Sequence, residues 1–255
     1  DKILVVSHDF TLKPEIARTS DGEWIDMWTG LPIKNLSLAN LKTYDVGRLK
    51  PQTAYARRYP DQAPVDGERI PTLREVIALL KNHPNKNTQI WIEIKTSPEM
   101  PKVSGQPEAV ADAVVEVLQK TTFTHRVRIL SFDWRSLQRI QKIAPVIPTV
   151  YLSHIGNRLN NIKPGQAGPS PWTAGIDVDD YDGSIPAAIK AAGGPFWAVH
   201  YKYVTPANLA EAHKLGLKVF VWTPDRKRDM RRLLKIGVDG IITNRPDILK
   251  SLFNR

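Results

Sequence analysis

The chain has 255 residues, of which 42% are hydrophobic and 24% are charged, a composition typical of a globular protein rather than a disordered one. It has no cysteine, which excludes disulfide bridges, thiolate metal sites and cysteine nucleophiles. The net charge of +10, from 36 Lys and Arg against 26 Asp and Glu, favours anionic partners such as phosphate esters, lipid headgroups or nucleic acid.

Apolar, β-branched runs alternate with amphipathic helical stretches, a pattern typical of βα units around a parallel sheet. A closed parallel barrel usually has eight strands, and the sequence shows seven candidates. We therefore predict an α/β protein, a (β/α)8 TIM barrel whose first strand–helix unit is absent from this chain, built as a single domain over residues 1–255. The predicted strands are Ile3–Ser7, Gln89–Lys95, Arg126–Phe132, Pro148–Ser153, Phe196–Tyr203, Lys218–Thr223 and Asp239–Thr243.

Capping residues mark the ends of several helices between these strands. Thr72 with Glu75 three residues later predicts a capping box that opens a helix over Leu73–Lys81. Similar signals predict three more helices: Asp133 before Trp134–Ile143, Thr205-Pro206 before a helix that ends at Gly216, and Asp225 before a basic helix that ends at Gly237.

Two long stretches, near residues 10–70 and 156–186, are predicted to be largely irregular, with a short helix near Ser37–Thr43 in the first. Loops of this length often shape an active site. No stretch approaches the about 18 consecutive apolar residues of a membrane span, so we expect no stable membrane insertion.

Two charged side chains stand out in the strand predicted over Gln89–Lys95. Side chains alternate across a strand, so Trp91, Glu93 and Lys95 share one face. An acid and a base that face the interior of a barrel are costly unless they bind something, and active sites lie at the carboxyl ends of barrel strands. We therefore favour a functional role for Glu93 and Lys95 over the alternative, a buried ion pair that serves structure only.

Other candidates are histidines and aromatic residues at predicted strand ends. His8, within Ser7-His8-Asp9, suits proton transfer near neutral pH, although an isolated histidine is more often structural. His200 lies in a predicted strand beside Tyr201, and we expect it to line the mouth of the barrel. Trp222 ends the next strand, where packing in the core is the alternative. The remaining histidines, assigned to helices or loops, are His83, His125, His154 and His213.

Six motifs occur in the same order as in the glycerophosphodiester phosphodiesterase family, and the chain resembles that family. Its members are TIM barrels related to phospholipase C-like phosphodiesterases. The resemblance extends over essentially the whole chain, and the ordered set is far more specific than any one motif. The motifs are VVSHD (Val5–Asp9), IPTLREV (Ile70–Val76), IEIK (Ile92–Lys95), LSFD (Leu130–Asp133), VWT (Val221–Thr223) and GVDGIITNRPD (Gly237–Asp247).

This resemblance implies metal-dependent hydrolysis of a glycerophosphodiester to glycerol 3-phosphate and an alcohol, an activity of lipid and glycerol metabolism. His8 resembles the second catalytic histidine of the family, Glu93 a ligand of a divalent cation, and Lys95 the lysine that holds the phosphoryl oxygens. Trp222 resembles an aromatic residue of the substrate pocket, and Phe132 is expected to border the glycerol side. Because the ligands are hard oxygen atoms, the cation is expected to be Mg2+ or Ca2+.

The chain departs from the family pattern at its start. The resemblance implies a strand with a His-Arg pair and a strand with a Glu-x-Asp pair, and neither precedes Asp1. We expect the native protein to carry this N-terminal segment, which would complete the barrel. The alternatives are a protein supplied in two pieces and a catalytically degenerate homologue.

The sequence leaves two further functions open. One is a lipid phosphodiesterase similar to lysophospholipase D or sphingomyelinase D. The other is a basic module that binds an anionic ligand through Arg226-Lys227-Arg228 and Arg231-Arg232, residues predicted to spread around a solvated helix. Nucleic acid is not expected as a partner, because no aromatic residues are interleaved to stack on bases. The expected location is periplasmic or secreted, and otherwise cytoplasmic.

Overall fold

The computed structural model describes residues 1–26, 30–157 and 159–253. The chain forms two compact units: Asp1–Thr88 with Lys95–Phe123, and Gln89–Ile94 with Thr124–Arg255. The single domain expected over residues 1–255 stays a prediction. No helix in the described ranges is both long and apolar enough to cross a membrane.

The first unit contains four α-helices within its described residues, α1 (Leu38–Leu41), α2 (Ala54–Arg58), α3 (Leu73–Asn82) and α4 (Pro107–Lys120). The capping box predicted for α3 is confirmed: Glu75 N donates to Thr72 Oγ1 at 3.2 Å, and Thr72 N donates to Glu75 Oε2 at 2.6 Å. Ser37 and Thr53 cap α1 and α2 through one side-chain hydrogen bond each.

The long irregular stretch of the first unit has a core of its own. Its buried apolar side chains come from widely separated positions, and Asp45 anchors the chain beside them. Asp45 accepts hydrogen bonds from the backbone amides of Gly47 and Gly67 at 2.9 and 3.0 Å, and from Arg18 Nη2 at 2.5 Å. The stretch is therefore ordered despite having little regular secondary structure. The core residues are Leu12, Ala17, Ile25, Leu41 and Ile70.

The strand predicted at Ile3–Ser7 does not form. The segment runs antiparallel to the entry of α3, with a single bridge between Val5 and Thr72. Two hydrogen bonds flank the bridge, from Val6 N to Pro71 O at 2.8 Å and from Leu73 N to Leu4 O at 2.9 Å. The pairing does not lengthen into a ladder, because Pro71 has no amide hydrogen to return a bond and the partner segment becomes helical at Leu73. Local chemistry at the helix start thus limits the segment to one bridge.

The second unit contains a six-stranded parallel sheet, in which all six remaining strand predictions are confirmed with ends trimmed by one or more residues. The strands are β1 (Ile90–Glu93), β2 (Val127–Ser131), β3 (Thr149–Ser153), β4 (Ile155–Gly156), β5 (Leu159–Asn160), β6 (Phe196–His200), β7 (Lys218–Trp222) and β8 (Gly240–Ile242). The sheet order is β1-β2-β3-β6-β7-β8, and β4 and β5, with two residues each, form a separate antiparallel hairpin after β3.

Helices follow the strands as expected of βα units. The predicted N-cap of Asp133 and the Thr205 cap followed by Pro206 are confirmed, as is the end of α8 at Gly237, whose φ of 90° suits glycine. The helices are α5 (Trp134–Ile143), α6 (Ile185–Ala191), α7 (Pro206–Lys214), α8 (Lys227–Ile236) and α9 (Pro246–Lys250).

The predicted role of Asp225 is wrong. The N-cap of α8 is Arg226, which makes no capping hydrogen bond through its side chain. Asp225 instead binds the segment after β8: Oδ1 accepts from Thr243 Oγ1 at 3.0 Å and from Asn244 N at 2.9 Å, and Oδ2 accepts from Asn244 Nδ2 at 3.0 Å. The carboxylate therefore joins the turns that follow two neighbouring strands.

One face of the sheet carries large side chains that pack over small ones. The β7–β8 register pairs Phe220 with Gly240, and a Cβ at Gly240 would lie 2.4 Å from the Phe220 ring. Only glycine permits this approach. Phe220 also packs against a buried apolar cluster on this face. The cluster consists of Leu130, Val150, Leu152 and Ala198.

Candidate functional site

Polar and aromatic side chains gather at the carboxyl edge of the sheet. Because the strands are parallel, their last residues meet at one edge, which is where ligands bind in sheets of this kind. Glu93, His200 and Trp222 end β1, β6 and β7, and Phe132 and His154 directly follow β2 and β3. This edge is the candidate active site of the second unit.

Trp222 is the centre of a ring cluster at this edge. Its ring centroid lies 5.4 Å from that of Phe132, 5.0 Å from that of His200 and 5.5 Å from that of His154. Its indole Nε1 donates to Ala198 O at 3.3 Å, which fixes the ring orientation. The structure thus brings together Phe132, His200 and Trp222, which the sequence had proposed separately.

Two tyrosines extend the cluster from the loop after β6. Tyr201 packs on His200 with 4.9 Å between ring centroids, and Tyr203 lies 5.6 Å from His200 and 5.4 Å from His154. The backbone of Tyr201 is held on both sides, by its amide donating to Trp222 O at 2.8 Å and its carbonyl accepting from Arg232 Nη2 at 3.1 Å. The expectation that Tyr201 accompanies His200 is consistent with this arrangement.

His154 belongs to the cluster, although its position in the sequence suggested only a loop. It is placed by Asn161, whose side chain is fully buried. Asn161 Oδ1 accepts from His154 N at 2.8 Å, and Asn161 Nδ2 donates to the carbonyls of Phe132 and Leu152 at 3.1 Å each. The sequence offered one indication of this arrangement, the polar Asn161 a few residues after His154. Their contact forms only in the folded hairpin.

A hydrogen bond determines the protonated ring nitrogen of His154, and burial affects the pKa of His200. His154 Nδ1 lies 2.6 Å from Leu159 O, and because a carbonyl only accepts, Nδ1 carries the proton and Nε2 is free to accept when the ring is neutral. Burial lowers the pKa of His200 below its ordinary value, and the nearby His154 and Lys202 add to the effect. The lowered pKa favours the neutral imidazole of His200 near neutral pH.

Glu93 is the last residue of β1. Because side chains alternate along a strand, Glu93 and Trp91 share a face, and Trp91 packs against the buried Leu130 cluster. The strand itself stops at Glu93, although Ile94 N still donates to Leu130 O at 2.8 Å and Ser131 Oγ donates to Ile94 O at 2.9 Å. Glu93 is partly buried at this point.

Lys95 and His8 belong to the first unit. Lys95 lies beyond the end of β1, so the strand predicted through it is too long by two residues. His8 lies in a bend with its side chain 82% exposed, and His8 Nδ1 lies 3.6 Å from Asp9 Oδ1. The neighbouring His8 lowers the pKa of Asp9 against the opposite effect of partial burial, with Lys13 assisting.

The described ranges contain no group of three or more His, Asp or Glu side chains close enough together to hold a metal ion. The residues present therefore do not fit a complete cation site by themselves. Glu93 is the one proposed ligand among them, and a set of hard oxygen donors would need further carboxylates or waters around it.

Comparison with known proteins shows where this arrangement belongs. Residues 1–248 match the model of the Glycerophosphoryl diester phosphodiesterase family. A glycerophosphodiester phosphodiesterase from Caldanaerobacter subterraneus subsp. tengcongensis is 30% identical over 255 residues, which cover 100% of this chain and 82% of that protein.

Solved structures show the same fold. A Silicibacter pomeroyi protein assigned to the glycerophosphoryl diester phosphodiesterases has a TM-score of 0.82 and 29% identity, covering 99% of this chain and 80% of that one. A phosphodiesterase from Oleispira antarctica, in complex with the product sn-glycerol-3-phosphate, has a TM-score of 0.66 and 20% identity, covering 100% and 81%. The predicted α/β TIM-barrel class is confirmed, and the chain belongs to the glycerophosphoryl diester phosphodiesterase family of phosphoric diester hydrolases.

Proposed function

We propose that this chain hydrolyses a glycerophosphodiester to glycerol 3-phosphate and an alcohol, in a reaction that depends on Mg2+ or Ca2+. The observation that carries the proposal is the arrangement at the carboxyl edge of the parallel sheet, where Glu93 and the Trp222 ring cluster both lie. The family match over residues 1–248 supports the same reaction class.

Each proposed site residue has a distinct task. The ammonium of Lys95 stabilises negative charge on the phosphoryl oxygens as phosphorus becomes five-coordinate. His8, exposed and next to Asp9, transfers a proton to the departing oxygen. Glu93 supplies one carboxylate to the divalent cation, which when bound would neutralise phosphoryl oxygens.

The ring cluster suits the glycerol part of such a substrate. The rings of Trp222 and Phe132 form an apolar wall against which the carbon atoms of glycerol pack, while His154 Nε2 accepts a hydrogen bond from a hydroxyl group. His200 and Tyr201 border the same wall. A small polyol phosphate therefore meets both apolar and hydrogen-bonding surface at this edge.

The test is release of glycerol 3-phosphate from glycerophosphocholine, measured with and without EDTA. We expect turnover that EDTA abolishes and that added Mg2+ or Ca2+ restores. Lys95→Met and Glu93→Gln should each lower kcat/KM by about 100-fold or more, because each removes charge stabilisation specific to the transition state. Lys102→Met, at an exposed position of the same unit as Lys95, is the matched control and should leave turnover unchanged.

Each part of the proposal has its own contrary outcome. Turnover that EDTA does not affect would show that the reaction needs no divalent cation. Near-normal turnover of Lys95→Met would show that Lys95 has no catalytic role. If neither this chain nor a version extended upstream released glycerol 3-phosphate, the catalytically degenerate homologue would be favoured instead, whereas activity of the extended version alone would show that the reaction needs the upstream segment.

A further inference from the structure

The basic residues of α8 form a stripe that the proposed reaction does not use. The helix contains five cationic residues and one acidic residue, Asp229. Arg228, Arg231, Arg232 and Lys235 follow the spacing i, i+3, i+4, i+7, which places them within about 100° of arc on one face. We call these four residues the basic stripe. Arg226 and Lys227 lie outside this arc, so the five basic residues considered in the sequence do spread around the helix as expected, and the stripe is the part of them that Lys235 extends.

Packing of the helix keeps the basic stripe in solvent. Met230 and Leu233 are fully buried and anchor the opposite face of α8, whereas all four residues of the basic stripe are exposed. The stripe extends about 10 Å along the helix axis, at about 1.5 Å per residue. It contains no acidic side chain, and Asp229 Oδ1 lies 3.8 Å from Arg228 Nε. This face of α8 is thus a row of four cations with one carboxylate, that of Asp229, at its edge.

The loop after β6 continues this surface. Arg232 Nη2 donates to Tyr201 O at 3.1 Å, which places the exposed Lys202 and Tyr203 next to the stripe. Tyr203 is 41% exposed although its ring also contacts His154. A tyrosine with an apolar ring and a polar tip is favoured at the boundary between water and a lipid headgroup layer.

We propose that the basic stripe binds the surface of an anionic lipid membrane. A flat row of cations flanked by an exposed tyrosine complements a layer of negatively charged headgroups, which attracts Lys and Arg within a Debye length. No aromatic side chain is interleaved with the cations of α8 to stack on bases, whereas the neighbouring exposed Tyr203 suits a headgroup layer, so the chemistry favours lipid headgroups over a nucleic acid. This binding is peripheral and does not depend on the proposed hydrolysis.

The experiment is co-sedimentation of the full chain with vesicles. One set is phosphatidylcholine alone, and the other is an equimolar mixture of phosphatidylcholine and phosphatidylglycerol, each at low and high salt. We expect binding to the anionic vesicles only, weakened by salt. The triple variant Arg228→Gln/Arg231→Gln/Lys235→Gln should lower the partition coefficient by at least about tenfold, since each cation near the surface contributes severalfold. Arg232 is left in place because it holds the Tyr201 carbonyl.

The control removes the same charge from the same unit. Lys142→Gln/Lys190→Gln/Lys214→Gln changes three exposed lysines in the last turns of α5, α6 and α7, and should retain vesicle binding. Circular dichroism checks that both variants fold, and Arg231→Glu serves as a second, single-residue variant with the same expected direction. Equal loss in stripe and control variants, or no binding of the unchanged chain to anionic vesicles, would overturn the proposal. Binding of a DNA duplex in place of vesicles would also overturn it.

Discussion

The neighbouring rings of His154 and His200 differ in what holds them. His154 is fixed by its own Nδ1–H bond to Leu159 O and by Asn161 at its backbone. His200 ends a strand and packs against Trp222 and Tyr201. Burial and the neighbouring His154 and Lys202 disfavour a proton on His200, so its titration reports on the electrostatics of the whole edge.

The lowered pKa of His200 predicts a specific pH dependence of stability. A histidine whose pKa is lower in the folded state than its ordinary value of 6.5 contributes stability that is fully present above 6.5 and is lost as pH falls through the lowered pKa. The free energy of unfolding should therefore fall more between about pH 7 and about pH 5 in the unchanged chain than in His200→Gln. Urea denaturation at several pH values measures this difference.

Two controls accompany that measurement. His83→Gln removes an exposed imidazole from the first unit and should keep the pH dependence of the unchanged chain. The imidazole proton resonances of His200 should titrate with a midpoint below 6.5. A midpoint above that value would contradict burial as the dominant cause, because it would mean that a negative group outweighs the loss of solvation.

At the scale of elements, strands were easier to predict than the turns that follow them. Val127–Ser131 and Thr149–Ser153 are buried almost throughout, on both faces, as expected of parallel strands covered on both sides. The capping box at Thr72 was predictable because its two partners are three residues apart. Asp225 has the same local signature as a cap, but its hydrogen bonds go to residues that follow the next strand, and spacing along the chain does not reveal them.

Replacement of Asp225 tests whether this cross-connection stabilises the sheet end. Asp225→Ala removes three hydrogen bonds and leaves the amide of Asn244 without this acceptor. We expect the free energy of unfolding to fall by about 1–3 kcal/mol. Asp180→Ala, at an exposed position of the same unit, is the control and should change it by less than about 0.5 kcal/mol. Equal effects of the two exchanges in urea denaturation would show that Asp225 contributes no more than a surface carboxylate.

For the whole molecule, the sequence predicted the barrel class and four of the side chains at the carboxyl edge, but not how that edge is held together. Glu93, Phe132, His200 and Trp222 were found because each lies at or next to the end of a predicted strand. His154 directly follows β3 in the same way but was assigned to a loop, and the sequence does not show that Asn161 holds it beside the other rings. The prediction of a strand at Ile3–Ser7 was wrong for a related reason: apolar character predicts a strand but does not specify the segment with which it pairs.

Acid stability of the molecule should depend on the Asp45 anchor. Burial alone would raise the pKa of Asp45, but the amides of Gly67 and Gly47 and the Arg18 guanidinium lower it to about 2. A carboxyl with a lowered pKa contributes stability that is present above its ordinary value of 3.8 and is lost as pH falls through about 2. Asp45→Asn should therefore raise the unfolding constant by at least about fivefold near neutral pH, with the difference shrinking as the solution approaches pH 2.

The comparison uses fluorescence-monitored unfolding from neutral to acid pH. Asp21→Asn, at an exposed position in the same unit, controls for the loss of one carboxylate. A constant difference between Asp45→Asn and the unchanged chain across the whole range would show that the residue acts through packing rather than through its charge.

The buried side chain of Asn161 has a consequence for how tightly the candidate site binds its ligands. Its amide joins the segments after β2 and β3 to one another, so the backbones under Phe132 and His154 are fixed when the chain folds. A ligand that packs on these rings then removes little conformational entropy from the protein. Differences in affinity among related ligands should follow the rotatable bonds of the ligand itself, and a rigid glycerol phosphate analogue should bind more tightly than a flexible one with the same polar groups.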